Sequence, residues 1–199
     1  MEGLNIVIAD DEALIRLDLR EILTAAGHRV VGEAGTGQSA VSLARSKRPD
    51  LVIMDVKMPG LDGLAAAKKI KAEKLAPVLL LTAFSQPEFI VRAGKAGVTG
   101  YLVKPVTEAQ LFPAMEIAVS RWRELRESEQ EIESLKTTLA GRKLLDRAKG
   151  IIMAAHGLSE DEAYRRLQKY SMAHQQPLLK TAEAVVRAAE NGGGRNGTD

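Results

Sequence analysis

Short apolar runs alternate with amphipathic stretches from residue 4 to residue 105. The runs are LNIVIA (4–9), RVVGEA (29–34), DLVIMD (50–55), PVLLLT (77–82) and TGYLV (99–103). The stretches with helical spacing between them lie near residues 12–26, 37–46, 63–72 and 87–96. Continuous apolar strands are typical of a parallel sheet that helices cover on both faces. The pattern therefore predicts a doubly wound α/β domain with a five-stranded parallel sheet.

A long helical segment follows, beginning near Thr107, a residue suited to an N-cap. Its apolar positions are Met115, Ala118, Trp122, Leu125, Ile132, Leu135 and Leu139. Their spacing is mostly three and four, as in a coiled-coil seam, although Glu129 occupies one seam position and the 132–135–139 step departs from strict heptads. We expect a coiled-coil helix over residues 107–140 that joins two domains and pairs two copies of the chain. A solvated helix without a partner is the alternative.

Residues 141–190 carry three shorter helical periods, which predict a small all-α bundle. The first has an apolar stripe at Leu144, Ala148, Ile151, Ile152 and Ala155. The second begins at a capping box formed by Ser159 and Glu162. Its predicted inner face holds Ala163, Tyr164, Leu167, Tyr170 and Ser171. The inner face of the third holds Leu178, Ala182, Val185, Val186 and Ala189. The glycine-rich segment 191–199 is expected to be disordered.

Composition narrows the functional classes. The 199 residues suffice for one large or two small domains. They include no cysteine, which excludes disulfides and thiolate metal sites and agrees with a reducing, cytoplasmic location. The apolar runs are too short to span a bilayer, and the opening MEGLNIVIAD lacks the charged-then-apolar layout of a signal peptide. The formal net charge of +2 is too small to indicate nucleic-acid binding unless basic residues cluster locally.

Polar residues gather at the ends of the predicted strands. In chain order they are Asp10, Asp11, Glu12, Asp55, Thr82 and Lys104. Ligands of a doubly wound sheet bind beyond the carboxyl ends of its strands. Carboxylates at this density suit Mg²⁺, with Asp11 and Asp55 as ligands and the backbone carbonyl of Lys57 close by. Helix capping alone would explain a single acidic residue, but not complementary groups at several strand ends.

These strand-end residues, together with DVKMPGLDG at 55–63, resemble the receiver domain of bacterial two-component response regulators over residues 4–122. The resemblance implies a flavodoxin-like fold in which Asp55 accepts a phosphoryl group from a sensor histidine kinase. A carboxylate nucleophile attacking phosphorus next to Mg²⁺ is coherent chemistry. The resemblance also implies a phosphoacceptor signalling protein rather than an enzyme, with slow self-dephosphorylation.

The same resemblance gives roles to the neighbouring residues. Mg²⁺ would be held directly by Asp11, by Asp55 and by the Lys57 carbonyl, and mainly through water by Asp10. Lys104 would pair with one phosphoryl oxygen and Thr82 would hydrogen-bond another. Tyr101 stands where receivers keep an aromatic switch that turns inward as Thr82 moves. The Lys104–Pro105 bond is usually cis in this family.

Basic residues cluster in the third region. Between residues 141 and 169, seven lysines and arginines stand against four acidic residues, three of which lie at the capped helix start. The seven are Arg142, Lys143, Arg147, Lys149, Arg165, Arg166 and Lys169. Helical projection puts Arg142 and Lys149 opposite the apolar stripe. Such a face suits binding to phosphates, although a solvated charged surface is the simpler alternative.

RAKGIIM (147–153), followed by EAYRRLQKYSM (162–172), resembles the ANTAR domain, an RNA-binding antitermination module, over residues 125–188. Ser171 is a mild departure, since alanine is also common there. The resemblance implies a transcription antiterminator that binds RNA hairpins, with the seven basic residues as candidate RNA-binding residues. Gly150 stands inside a helix, where glycine costs about 1 kcal/mol relative to alanine, so we expect a close helix contact there.

The predicted organisation is a receiver domain at 1–122, a helical coiled-coil linker at 107–140 and an ANTAR-like output domain at 141–190. Phosphorylation is expected to promote a homodimer, whose two output domains would match two hairpins. Two other outputs stay open. One is a DNA-binding response regulator, because HGLSEDEAYRRL superficially resembles a helix-turn-helix. The other is a protein-interaction adaptor that binds no nucleic acid.

Overall fold

The structure is a computed structural model that describes residues 3–83 and 98–192. The chain forms two compact units, residues 1–127 and residues 128–199. Among the described helices, none has both the length and the apolarity that a membrane crossing requires. The amphipathic stretch predicted near 87–96 and residues 193–199 of the predicted tail lie outside the described residues.

The first unit contains the predicted sheet. Its strands are β1 (Asn5–Ala9), β2 (Arg29–Ala34), β3 (Leu51–Asp55), β4 (Val78–Thr82) and β5 (Gly100–Val103). They pair in the order β2-β1-β3-β4-β5, and every pairing is parallel. The described helices that pack on the sheet begin with α1 (Ala13–Ala25), α2 (Gly37–Lys47) and α3 (Gly63–Ala72). The predicted doubly wound, flavodoxin-like fold is confirmed.

Each face of the sheet has its own apolar layer. On one face, Val7, Met54 and Leu80 pack with α2 and α3. On the other, Ile8, Ile53 and Leu81 pack with α1 and with the start of the next helix, α4 (Glu108–His156). A strand that is buried on both sides must be apolar at every position, and for this reason the runs of β1, β3 and β4 are continuous rather than alternating.

Two residues that the sequence assigned to the coiled-coil seam belong to the core of the first unit. Met115 and Ala118 are fully buried in the layer that contains Leu79 and Leu81. A helix that packs on a sheet needs the same spacing of three and four as a helix in a coiled coil, so the pattern alone could not separate the two partners. Farther along α4, a set of large apolar side chains is between 42% and 63% exposed. This exposed seam consists of Leu125, Ile132, Leu135 and Leu139.

The linker and the first output helix form one helix. The sequence predicted a boundary between residues 140 and 141, but α4 continues through Gly141 to His156. A Cβ added at Gly141 would come 3.1 Å from Cδ1 of Leu179. Glycine at this position therefore makes room for a neighbouring helix and does not end its own.

The second unit contains the end of α4 together with α5 (Glu160–Ala173) and α6 (Leu178–Gly192). The capping box at the start of α5 is present, because the Ser159 hydroxyl accepts from the Glu162 N–H while the Glu162 carboxylate accepts from the Ser159 N–H. The core is small and entirely aliphatic. It consists of Ala148, Ile152, Ala163, Leu167, Ala182 and Val186.

Three residues predicted on inner faces of these helices are exposed. Tyr170 is 51% exposed, and both Ala155 and Ala189 are exposed. Each sits at the edge of its apolar stripe, where a helical projection does not decide between burial and exposure. The predicted disordered segment also begins too early, since α6 includes Asn191 and Gly192.

Candidate functional site

The sheet register brings the polar strand ends together. Asp10 follows β1 directly, and Ala9 at the end of β1 is paired with Met54 of β3. Asp55 is paired with Leu81, and Thr82 of β4 is paired with Val103 of β5. Because all these strands are parallel, their carboxyl ends lie along one edge of the sheet.

Lys104 joins two of the carboxylates. Its Nζ lies 2.7 Å from Oδ2 of Asp10 and 2.9 Å from Oδ1 of Asp55. The Asp10 side chain is fully buried and that of Asp55 is 9% exposed. Burial alone would lower the pKa of Lys104, but the hydrogen bonds to Asp10 and Asp55 outweigh it and raise that pKa above its ordinary value. The ammonium is therefore charged at neutral pH and balances the two acids.

Backbone groups hold the two carboxylates in place. The second oxygen of Asp55 accepts from the Lys57 N–H at 2.7 Å, and the second oxygen of Asp10 accepts from the Glu12 N–H at 3.0 Å. Gly63 at the start of α3 lies so close that an added Cβ would overlap the carbonyl oxygen of Asp55. The last glycine of DVKMPGLDG therefore has a packing reason, since no side chain fits between α3 and the end of β3.

A cavity of about 230 Å³ opens above these groups. Its lining includes Asp11, Asp55, Lys57, Thr82 and Lys104. Thr82 and Asp55 are both buried, whereas Asp11 is exposed. The cavity thus combines a nearly buried carboxylate, a hydroxyl and an ammonium, which together suit one small anionic group.

The carboxylates of this cavity suit Mg²⁺ better than a cation that needs a protein cage. Within residues 3–83 and 98–192, no three acidic, imidazole or thiol groups form a metal cluster. Mg²⁺ keeps several waters and is commonly bound by one or two carboxylates together with phosphate oxygens. Asp11 and Asp55, which both line the cavity, meet that requirement.

The basic residues of the second unit divide into two groups. Lys149 is 15% exposed, and its Nζ lies 2.7 Å from Oδ1 of Asp146 and 2.6 Å from Oε1 of Glu160. Arg147 pairs with Glu190 at 2.9 Å. The sequence predicted Lys149 on an open face, but the structure uses it to connect α4 with the start of α5. The hydrogen bonds that Lys149 makes, first of all to Asp146 and also to Glu160, raise its pKa above the ordinary value.

The other five predicted basic residues are exposed, and none has an ion-pair partner in the described part of the chain. They are Arg142, Lys143, Arg165, Arg166 and Lys169. Arg142 lies near Asp146 and Arg165 near Glu162, but no ion pair holds any of the five charges, so they are available to an external anion.

Family models match both units. The response regulator receiver domain matches residues 6–116, and the ANTAR domain matches residues 133–186. The transcriptional regulatory protein PdtaR of Mycobacterium tuberculosis is 48% identical over 182 residues, which are 92% of this chain and 89% of that relative. The chain belongs to the response regulators with a receiver domain and an ANTAR domain.

Relatives of the receiver domain alone are also found. The chemotaxis protein CheY of Thermotoga maritima is 36% identical over 114 residues, which are 57% of this chain and 95% of that protein. The solved structure of chemotaxis protein CheY4 of Vibrio cholerae is 30% identical, with a TM-score of 0.55, and covers 59% of this chain and 99% of that one.

Three further sequence predictions for this response regulator concern Tyr101, the Lys104–Pro105 bond and Gly150. Tyr101 lies on the edge strand β5, is paired with Leu80 and is 37% exposed. The Lys104–Pro105 bond is cis. The close helix contact expected at Gly150 is absent, because an added Cβ there would have nothing within 4 Å among the described residues.

Arg16 lies near the site and was not predicted from the sequence to do so. Nη1 of Arg16 donates to the backbone carbonyl of Asp10 at 2.7 Å, and its Nε lies 3.5 Å from Glu33. Arg16 therefore connects α1 and β2 to the acidic loop after β1. An arginine on an amphipathic helix carries no sequence signal for such a contact, since the contact depends on how α1 packs on the sheet.

Proposed function

We propose that this response regulator accepts a phosphoryl group on Asp55 and thereby controls the binding of its ANTAR domain to RNA hairpins, so that transcription continues past a terminator. The observation that carries the proposal is the position of the Asp55 carboxylate in the small cavity beside Lys104 and Thr82. The ANTAR match supports RNA as the target of the output domain.

Transfer from a sensor histidine kinase begins with attack by an Asp55 oxygen on phosphorus. The new P–O bond replaces the P–N bond of the phosphohistidine, and the released imidazole takes up a proton. Lys104 binds one phosphoryl oxygen and Thr82 donates to another. Tyr101 responds to the movement of Thr82. Arg16 positions the Asp10 carbonyl and so keeps the acidic loop in place during the reaction.

The carboxylates of Asp11 and Asp55 and the carbonyl of Lys57 would hold Mg²⁺, with Asp10 contributing through water. When bound, the ion supplies positive charge that offsets the charge of the phosphoryl oxygens. Asp10 is buried against Lys104 and does not line the cavity, which agrees with an indirect role.

A homodimer is the form that we propose for the active protein. The exposed seam of α4 presents apolar side chains of 42% to 63% exposure that no other described part of the chain covers. Pairing the seams of two copies would bury them and bring two RNA-binding domains together. Two domains would match two hairpins of one transcript.

RNA binding is assigned to the basic residues of the second unit. Arg142, Lys143, Arg165, Arg166 and Lys169 bind phosphates, because their charges are exposed and unpaired in the described structure. Arg147 and Lys149, which are paired with acidic residues, contribute after exchanging those partners for phosphate. Removal of one phosphate-binding cation should reduce the slope of the logarithm of the RNA-binding constant against the logarithm of the salt concentration by about one unit.

The proposal is tested by comparing wild type with Asp55→Asn. RNA crosslinked to the protein in cells is sequenced, and the recovered hairpins are used as probes. Both proteins are incubated with a small phosphodonor and Mg²⁺, after which acyl phosphate, sedimentation and hairpin binding are measured. We expect Asp55→Asn to form no acyl phosphate and to show no donor-dependent dimerisation or gain in RNA affinity.

Asp18→Asn serves as the control, because Asp18 is an exposed carboxylate of α1 that does not line the cavity. It should behave like wild type. Equal acyl-phosphate formation in Asp55→Asn would refute the phosphoacceptor. Binding to duplex DNA but not to hairpin RNA at the same salt concentration would refute RNA as the target of the output domain.

A further inference from the structure

The second unit has an apolar groove of about 640 Å³ at the junction of its three helices. The floor is formed by Ile152 of α4, Leu167 of α5 and Thr181 of α6, all of them buried. The volume lies within the range of about 300–1,000 Å³ that is typical of ligand sites.

The groove exists because small residues line its walls. Ala155 of α4 and Ala184 and Ala188 of α6 line it and are exposed. A methyl group does not reach across the space between two helices, whereas leucine or phenylalanine at these positions would close it. The bundle therefore leaves an apolar surface open that larger side chains would have buried.

One lip of the groove carries an aromatic ring and a cation. Arg166 and Tyr170 lie one turn apart on α5, and Tyr170 is 51% exposed. The rings of Tyr170 and His174 are in a T-shaped contact, with centroids 4.0 Å apart, and about half of the Tyr170 surface stays exposed. Arg166 has no ion-pair partner among the described residues, and none of the described residues that line the groove is acidic.

We propose that this groove takes an unstacked nucleobase from the loop of an RNA hairpin, with Tyr170 stacking on a base and Arg166 binding the adjoining phosphate. The inference rests on the proposed RNA-binding function and names the surface that would read the loop. A base combines an apolar face with a charged phosphate, and an apolar groove beside an aromatic ring and an arginine complements both parts.

Charge and the exposed aromatic ring together favour RNA over a protein helix as the occupant. A neutral amphipathic peptide would satisfy the apolar walls but not Arg166, and the described residues that line the groove include no carboxylate, although Glu162 lies one turn before Arg166 on α5. An occupant with one negative charge per unit and a flat apolar group therefore fits best.

The first test closes the groove. Ala155→Leu places a large side chain in the groove, and Ala154→Leu makes the same change at an exposed position of the same helix that does not line it. With a paired-hairpin RNA from the crosslinking experiment as probe, we expect Ala155→Leu to lose affinity by about tenfold or more. Ala154→Leu should bind like wild type. Far-UV circular dichroism checks that both variants fold.

The second test addresses stacking and does not alter the groove wall. Tyr170→Phe keeps the aromatic face and should retain affinity, whereas Tyr170→Leu should lose about tenfold. Single abasic substitutions along the loop should identify one nucleotide whose removal weakens wild type by a similar factor. That removal should have little further effect on Tyr170→Leu, because the stacked partner is already absent.

The outcomes separate the inference from the function on which it rests. If wild type binds the hairpins and neither Ala155→Leu nor Tyr170→Leu weakens binding, the groove is not the base site although the protein binds RNA. If an acidic amphipathic peptide occupies the groove while hairpin binding is unchanged, the occupant is wrong. If wild type binds no hairpin at all, both proposals fail. Should Ala155→Leu not fold, the Tyr170 pair decides.

Discussion

Two lysines, one in each unit, hold two carboxylates each at nearly the same distances. Lys104 lies 2.7 and 2.9 Å from Asp10 and Asp55, and Lys149 lies 2.7 and 2.6 Å from Asp146 and Glu160. The difference is in the partners, which are 0% and 9% exposed for Lys104 but 56% and 68% exposed for Lys149. Equal distances therefore describe a buried charge cluster in one unit and solvent-screened ion pairs in the other.

Two glycines show the same contrast between the units. Gly63 of α3 has no room for a Cβ, because the backbone of Asp55 and Val56 occupies that space. Gly150 of α4 has open space in the corresponding direction. The receiver domain is thus packed tightly where α3 meets its site, while the ANTAR domain leaves the surface around Gly150 open, where a partner has access.

Lys104→Met should have the largest effect on stability. Removing the ammonium leaves Asp10 and Asp55 as neighbouring buried carboxylates without a countercharge, so we expect the free energy of unfolding to fall by about 3 kcal/mol. Because the pKa of Lys104 is raised, its stabilisation is fully present below the unfolded value of 10.5 and is lost only as pH rises through the folded value. Urea unfolding at pH 7.5, followed by the fluorescence of the single Trp122 in the first unit, measures it in full. If Lys104→Met lowers the free energy of unfolding by no more than Lys149→Met does, the two lysines contribute equally to stability and the proposed difference between them is wrong.

Gly63→Ala should have the second-largest effect on stability. The added methyl overlaps the Asp55 carbonyl, and since both groups are backbone-bound, the start of α3 must move away from β3. We expect destabilisation of about 1–3 kcal/mol by the same fluorescence measurement, together with slower phosphorylation of Asp55. Wild-type stability and wild-type phosphorylation in this variant would mean that the helix start has room to adjust.

Gly150→Ala should have a smaller effect of opposite sign. Alanine at an exposed helix interior position removes the entropic penalty of glycine, and no atom of the described chain obstructs it, so the second unit should gain about 0.5–1 kcal/mol. Thermal unfolding by circular dichroism tests this against wild type. Destabilisation would reveal a close neighbour at this face in solution.

The receiver site could be predicted from the sequence because its residues follow buried strands. Once DLVIMD is recognised as a buried strand, the end of that strand fixes the position of Asp55, and parallel pairing fixes its neighbours. Surfaces of helices are different. The spacing that places Met115 in a stripe does not tell whether the partner is a sheet or a second copy, and the position of Tyr170 at a stripe edge does not tell whether it is buried. The ion pairs of Lys149 depend on the angle between α4 and α5, for which no short-range pattern exists.

Lys149→Met should have the smallest effect on stability. Both partner carboxylates are more than half exposed, so water and salt already screen the ion pairs that the substitution removes. The pH of the measurement is chosen from the two pKa directions. The lowered pKa of Asp146 means that its contribution is present above the unfolded value of 3.8 and is lost as pH falls through the folded value, whereas the raised pKa of Lys149 means that its contribution is present below 10.5. At pH 7 Asp146 and Lys149 are therefore both charged, and a small change in stability there cannot be attributed to partial titration.

On hairpin RNA, Lys149→Met should lose less affinity than Arg166→Met, because the lysine must first give up two protein carboxylates before it can bind a phosphate. Equal losses for the two variants would show that RNA displaces Asp146 and Glu160 without difficulty, and would place Lys149 among the principal RNA-binding residues.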